Sequence, residues 1–361
     1  MGDRTVAAGD CRRARIFVDE LARFAADRAD PRLAAVAERA AMPLRVAVCG
    51  RRGVGRRTVA RALGRAPAIS VTGRPEADVA DVADVADLAD VAVYVTTEVV
   101  KPEDTEAIAA AAATGCPVLV ALNKSDLAML HRADPRARCA DFAARVGAPV
   151  EPMSGLLAVA ALDGLDAAAW AALRAVAAAP GGATCLDGSA DGFLAARLPV
   201  PADTRRRLLD GLGVFGTALS VAALQRGGTP ARVCALLRRC SGVDAVLKGI
   251  AVAGAGARYR RVLRAVAELE ALAVRDGTVG DFLARDDTVV ARMAAAVELA
   301  EAAGLGPLDG GDPGAHLPRA LRWQRYGRGG ALGALHRACA ADITRGSLRL
   351  WSRAHAPGGC E

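Results

Sequence analysis

The chain has 361 residues, is 53% hydrophobic and 24% charged, and carries a net charge of +7. That balance excludes a disordered chain, and the length is enough to bury a full core and to divide into two domains. Nine cysteines without a single CxxC pair argue against a disulfide framework or a zinc site and for reduced, cytoplasmic thiols.

Alanine accounts for 85 residues, and arginine outnumbers lysine by 44 to three. Ala, Arg, Gly, Val and Asp share GC-rich codons, so the bias is expected of a high-GC bacterial genome. It acts as a filter: arginine clusters carry less information, and Lys101, Lys124 and Lys248 carry more. Residues 201–361 hold 23 basic and 15 acidic side chains, a net +8, whereas residues 1–200 hold 24 and 25, a net −1. The N-terminus lacks the apolar run of a signal peptide. The longest apolar stretch, 211–224, is too short to span a bilayer as a straight helix. The expected location is the cytoplasm, with peripheral contact at the inner face of the membrane an open option.

In chain order, residues 11–41 are predicted helical, because Ile16, Phe17, Leu21, Phe24 and Ala25 recur at three-to-four spacing, and Pro31 divides the helix. LRVAVCG at 44–50 is a buried strand ending in glycine. A helix follows from about Arg56 to Gly64, then strands at 66–73 and 91–97. Between these two strands, aspartates at 78, 81, 84, 87 and 90 repeat with period three. A helix opens at Pro102, where Glu103 and Asp104 suit its positive end. CPVLVALNKSD at 116–126 is a strand and its exit loop. A helix at 135–147, a fifth strand in 148–155 and a long Ala-rich helix through Trp170 to about 179 complete the alternation. Strands alternating with helices predict an α/β parallel sheet with helices on both faces. Residues 181–192 read as a linker. Beyond 200, the segments 203–225, 229–240, 242–275, 279–304 and 315–353 all read helical, predicting an all-α C-terminal domain.

Two loops carry the chemistry. Gly50-Arg51-Arg52-Gly53-Val54-Gly55-Arg56-Arg57-Thr58 joins a strand to a helix, where glycines let backbone N–H groups curl around phosphate oxygens. Against GxxxxGK[ST], Gly50 and Gly55 have the right spacing, Arg56 stands at the lysine position, Arg57 at the hydroxyl position, and Thr58 supplies a hydroxyl one residue late. The same stretch also reads as a tight strand–helix turn rich in Gly and Arg. The second loop is Asn123-Lys124-Ser125-Asp126, directly after a strand.

With NKSD in place, residues 43–180 resemble the P-loop GTPases of the Ras-like and translation-factor-related class. In that class an NKxD loop reads guanine: the resemblance implies that Asp126 accepts from the base, Asn123 holds the loop and Lys124 covers the ring. Ser154 lies 28 residues past Asp126, and Ser154-Gly155 resembles the family's last loop, whose backbone amide meets guanine O6. Gly50, Gly53, Val54, Gly55, Arg56, Arg57 and Thr58 would hold the phosphates. The chain departs from the family elsewhere. The magnesium- and γ-phosphate-sensing DxxG has only Ser70-Val71-Thr72-Gly73 as a candidate, the threonine-bearing switch has almost no room, and one strand of the usual six is missing. Thr58 is the candidate for the missing metal hydroxyl. Helices before and after the GTPase-like part also resemble the layout of bacterial dynamin-like GTPases.

The implied organisation is a helical lead (1–42), a P-loop GTPase-like domain (43–180), a linker (181–200) and a helical domain (201–361). The implied function is binding of GTP or GDP, with uncertain Mg2+ dependence and at most slow GTP hydrolysis. The alternative is a pseudo-GTPase scaffold that meets a protein partner, such as a related GTPase, or a membrane surface through its basic half. Arginines interleaved with Tyr259, Trp323 and Tyr326 allow a nucleic-acid reading, but a solvated helix face with the aromatic on its core side fits the spacing better. The aspartate repeat reads as a surface segment rather than a metal site, since period three spreads carboxylates around a helix. His131, His316, His336 and His355 show no ligand spacing.

Overall fold

The computed structural model describes residues 13–72, 88–130, 134–182, 189–305, 312–330 and 332–356. The chain divides into two compact units, residues 1–42 with 251–361, and residues 43–250.

The first unit begins with α1 (Arg13–Arg28) and α2 (Pro31–Ala41). The break at Pro31 is reinforced by Asp30, whose side chain caps α2 by accepting from Arg32 N.

The second unit follows as β1 (Leu44–Gly50), α3 (Arg56–Leu63), β2 (Ile69–Thr72), β3 (Val91–Thr96), α4 (Pro102–Ala113), β4 (Val118–Leu122), α5 (Ser125–Leu130), α6 (Pro135–Val146) and β5 (Val150–Pro152). The five strands form one all-parallel sheet in the order β2-β1-β3-β4-β5. Val46 pairs with Val91 and Cys49 with Tyr94, so the strand that leads into the glycine loop lies directly beside β3. Every residue of β3 is buried, which is why it reads as a continuous apolar run rather than an alternation. From β1 the chain moves outward through α3 to β2, then returns across the sheet and builds the other way through α4 and α6. With right-handed crossovers, this places α3 on one face and α4 and α6 on the other. Cys49, Tyr94, Ile108, Val120 and Phe142 form the core under α4 and α6. Of the aspartate repeat, only Asp90 lies within the described residues. Its Oδ2 accepts from Arg45 N at 2.8 Å, pinning the entrance of β3 to β1.

The helices that complete this unit are α7 (Gly155–Asp163), α8 (Ala167–Ala178), α9 (Ala190–Ala195), α10 (Ala202–Gln225), α11 (Pro230–Ser241) and α12 (Val243–Ala253), the last running past the unit's end at Ile250. The single Ala-rich helix expected over 156–179 is two helices bent by 112°. Gly164 has φ 81°, and Asp166 starts α8 afresh by accepting from Ala169 N. The helices from 202 to 250 pack with the sheet rather than beyond a boundary at 181–200. Leu208, Leu212 and Val221 of α10 share a core with Leu157, Leu173 and Phe193, and a Cβ on Gly249 would lie 2.9 Å from Leu119. The apolar stretch 211–224 belongs to the longer α10. By length and composition α10 is the one described helix able to cross a bilayer, but it is broken at Gly213.

The remaining helices, α13 (Ala255–Ala273), α14 (Gly277–Ala284), α15 (Asp286–Ala302), α16 (His316–Gly327) and α17 (Ala334–His355), rejoin α1 and α2 in the first unit. Here too the longer predicted helices are interrupted, at Gly254, Arg285 and 328–333. Phe17, Leu21, Leu33, Tyr259, Phe282, Trp323 and Ile343 make a common core, with Phe24 stacked on Phe282 at 4.3 Å. Tyr259 and Trp323 are therefore core residues, as their helical spacing suggested.

One close approach holds the far edge of the sheet. Gly242, just after α11, has φ 71°, and a Cβ there would lie 2.2 Å from the Pro152 carbonyl oxygen. The adjacent Ser241 carbonyl accepts from Ser154 N at 2.8 Å. Gly242→Ala faces both left-handed backbone strain and a backbone clash, so it is expected to destabilise the sheet unit by about 2 kcal/mol or more. Chemical denaturation followed by hydrogen exchange at 150–160 would register this as early loss of protection around β5.

Candidate functional site

In a doubly wound sheet, ligands bind outside the carboxyl ends of the strands where the strand order reverses. That point here lies between β1 and β3, and the loop leaving β1 occupies it. Gly50 has φ 137°, and a Cβ there would sit 2.2 Å from Val95 O, so the chain turns only because the residue is glycine. Gly53 and Gly55 also have positive φ, at 83° and 92°, and Gly55 is the residue before α3. A Cβ on Gly55 would meet Asn123 Nδ2 at 2.3 Å. Val54 is buried, whereas Arg52 and Gly53 are exposed.

Asn123 binds two loops at once. Its Nδ2 donates to Val54 O at 2.7 Å, and its Oδ1 accepts from Gly155 N at 2.8 Å. The residue is buried at 5% exposure. The next residue, Lys124, takes φ 61°, an uncommon backbone for a side chain of this size, and is exposed. Ser125 N donates to Met153 O at 3.1 Å, again linking the loops after β4 and β5. Asp126 is 8% exposed, and no hydrogen bond or ion pair engages its carboxylate among the described residues. Ser125 Oγ is a fully buried atom without a partner, which the Asp126 oxygens are not. Ser154 caps α7, its Oγ accepting from Leu157 N.

Gly50, Gly53, Val54, Gly55, Asn123, Ser154 and Gly155 thus meet at one edge of the sheet. Other sequence-nominated residues are placed less simply. The amides of Ser154 and Gly155 both have protein acceptors, Ser241 O and Asn123 Oδ1, rather than facing open space. Arg56 is buried at 8% exposure, while Arg57 is exposed. The methyl of Thr58 packs beside Gly155, 3.4 Å from where a Cβ would stand. Among the described residues, no group of three or more His, Cys, Asp or Glu is arranged to hold a metal ion. Arg57 stands at the hydroxyl position of the loop, and Thr58 follows it. Residues 73–87, with most of the aspartate repeat, lie outside the described residues.

A second polar cluster escaped the sequence reading. Asp104, in the first turn of α4, is fully buried. Its carboxylate accepts from Arg51 Nε at 2.7 Å, Tyr94 Oη at 2.7 Å, Lys101 N at 2.9 Å and, at 3.4 Å, Thr96 Oγ1. Arg51 also donates to Val99 O. The glycine loop is therefore tied through Arg51 to the loop that follows β3. Burial pushes the Asp104 carboxyl upward, but the bonds from Arg51, Lys101 N and Tyr94 outweigh it and hold it below its ordinary value. Burial, then the bond to Asp104, pushes the Tyr94 phenol up. The Cys49 thiol is pushed up to about 12 by burial and by Cys116, so it stays protonated at neutral pH and is no nucleophile.

A lowered folded carboxyl contributes stability that is present above the ordinary value of 3.8 and is lost as pH falls through the lowered one. Asp104→Asn is expected to cost on the order of 3 kcal/mol at neutral pH by leaving Arg51 unpaired. The gap between wild type and variant should shrink below pH 3.8, as denaturation midpoints measured across pH would record. The sequence matches no protein-family model and no curated protein. The chemistry of this edge is therefore read from its own geometry.

Proposed function

We propose that this chain is a guanine-nucleotide-binding protein resembling the P-loop GTPases, with hydrolysis slow or lost. The observation that carries the reading is the Asn123 amide, which fastens the glycine loop to the loop after β5 beside a buried, unpartnered Asp126 carboxylate. A phosphate-sized curl of glycines and a carboxylate able to accept from guanine N–H groups then stand on adjacent loops. The position at the strand-order reversal supports the same site. Gly53, Val54, Gly55 and Arg56 hold phosphate, Asn123 positions, Lys124 lies along the base and Asp126 reads it. Arg56 keeps a positive charge but is planar and longer than lysine, so it contacts phosphate differently from a point charge between two phosphoryl groups. No hydrolytic step is assigned. The helices that flank the sheet unit in sequence are compatible with a layout like that of bacterial dynamin-like GTPases.

A pseudo-GTPase scaffold is the second reading, favoured by exposed Arg57 at the position of the metal-binding hydroxyl. In that case the fold presents a surface to a partner protein, and the basic C-terminal segment meets an acidic protein or an anionic membrane.

Titration of the full chain with fluorescent GDP and GTP, with and without magnesium, separates the readings. Saturable binding displaced by guanine but not adenine nucleotides is expected. Asp126→Asn is expected to shift the preference from guanine toward xanthine nucleotides by at least tenfold, since it exchanges acceptors for a mixed donor–acceptor edge. Absence of binding at high micromolar nucleotide leaves the scaffold reading.

A further inference from the structure

The Asp126 carboxylate has a neighbour that the motifs do not foresee. Helix α10 is broken at Gly213, whose φ of 66° and ψ of 179° fall in a region that is essentially glycine-only. A Cβ on Gly213 would lie 3.6 Å from Asp126 Oδ2 and 3.7 Å from Leu156 Cδ2. Asp126 is the carboxylate nominated to read the base, and Leu156 follows the nominated Ser154-Gly155 at the start of α7. The break in α10 is thus seated against the carboxylate that a guanine would need.

The two halves of α10 are fixed differently. After the break, Gly216 is pressed against Leu157, where a Cβ would lie 2.4 Å from Cδ2, and Ser220 Oγ donates to Gly216 O. Thr217 Oγ1 donates to Gly213 O at 2.7 Å, satisfying the carbonyl at the break. Before the break, the half is hung on α9 through Arg205, whose Nη1 donates to Phe193 O and Ala196 O. Leu208 and Leu212 are buried, while Arg206, Arg207, Asp210 and Gly211 are exposed. Both halves therefore belong to the core shared with α7, through Leu208 and Leu212 before the break and Val221 after it, and the chain leaves the helical path at Gly213 alone.

We infer that the turn of α10 at Gly213 is a latch over the base-reading pocket, and that nucleotide binding requires this turn to move off Asp126 and Leu156. The inference rests on the guanine reading of Asp126. It makes nucleotide binding and the position of that turn one linked equilibrium: whatever holds the turn down excludes the base, and bound base holds it up.

Gly213→Ala is a selective probe. The added methyl fits, because its nearest atoms stand at ordinary contact distance, but an alanine backbone disfavours the seated conformation. The variant is expected to bind fluorescent GDP about tenfold faster in stopped-flow mixing of the full chain. Hydrogen exchange on the wild-type chain tests the same point without a substitution. Saturating GDP should slow exchange at 51–58 and speed it at 203–213. Slowed or unchanged exchange at 203–213 alongside protection of 51–58 overturns the latch while leaving the guanine reading intact. An unchanged or slower association rate in a folded Gly213→Ala does the same. If neither protein protects 51–58 or binds GDP, the guanine reading fails and the latch with it. GDP binding by Gly213→Ala but not by wild type supports both.

Discussion

The carboxyl edge of the sheet depends on one side-chain amide. Val54 offers Asn123 a carbonyl and Gly155 offers it an N–H, so the two ends of the amide are assigned by chemistry, oxygen toward Gly155 and nitrogen toward Val54. No other uncharged side chain of that length supplies a donor and an acceptor on one rigid plane. Aspartate lacks the donor and leucine lacks both, and in a residue 5% exposed each missing bond strands a buried backbone group. The loop leaving β1 and the start of α7 are thus held at fixed separation by a residue on neither. The glycines follow from this tie. Gly55 has no Cβ because Asn123 Nδ2 stands where it would be, and Gly50 has none because the chain crosses against Val95 O.

A second tie sets the other flank of the loop. Arg51 reaches across to Asp104, and Asp104 gathers Tyr94 and Thr96 from β3 as well as the Lys101 amide. A carboxylate at 0% exposure is tolerable only because its oxygens are met by several donors, one of them cationic. The contrast with Asp126 is informative. Both carboxylates follow a strand and sit in the first turn of a helix, and both are more than nine-tenths buried. Asp104 is saturated by protein, as a structural group must be. Asp126 is not, and a buried carboxylate left with acceptor capacity is suited to a ligand with paired N–H donors.

Much of this was legible locally. The strands read as β-branched runs because both faces of a parallel sheet are covered, the break at Pro31 read from proline, and the helix start at Pro102 read from proline and the acids of its first turn. NKSD read as a loop after a strand. What failed to read was helix continuity and association. An Ala-rich stretch has the same composition on either side of Gly164, so its 112° bend is visible only in the φ of one glycine and the cap at Asp166. The helices from 202 to 250 share their alphabet with those beyond. Nothing local records that Gly249 meets Leu119 of the sheet or that Gly242 meets Pro152. The Asp104 cluster was half legible: an acid at a helix start was seen as a partner for the helix dipole, but its complete burial depends on chain brought in from residues 51 and 94.

The arginine bias is where structure most changes the reading of composition. Forty-four arginines weaken any argument from an arginine cluster, since most face solvent and cost little wherever they fall. Burial restores the information. Arg56 is 8% exposed and Arg205 7%, and the Arg51 side chain is 18% exposed on a fully buried acid. A guanidinium removed from water must be met by acceptors, so mutational drift alone does not place it there. Two of these three lie in the segment of the glycine loop, and the third anchors the half of α10 that leads into Gly213. Arg292, its side chain 12% exposed against the buried Asp342, does the same in the other unit, so burial rather than number separates the informative arginines from the exposed majority.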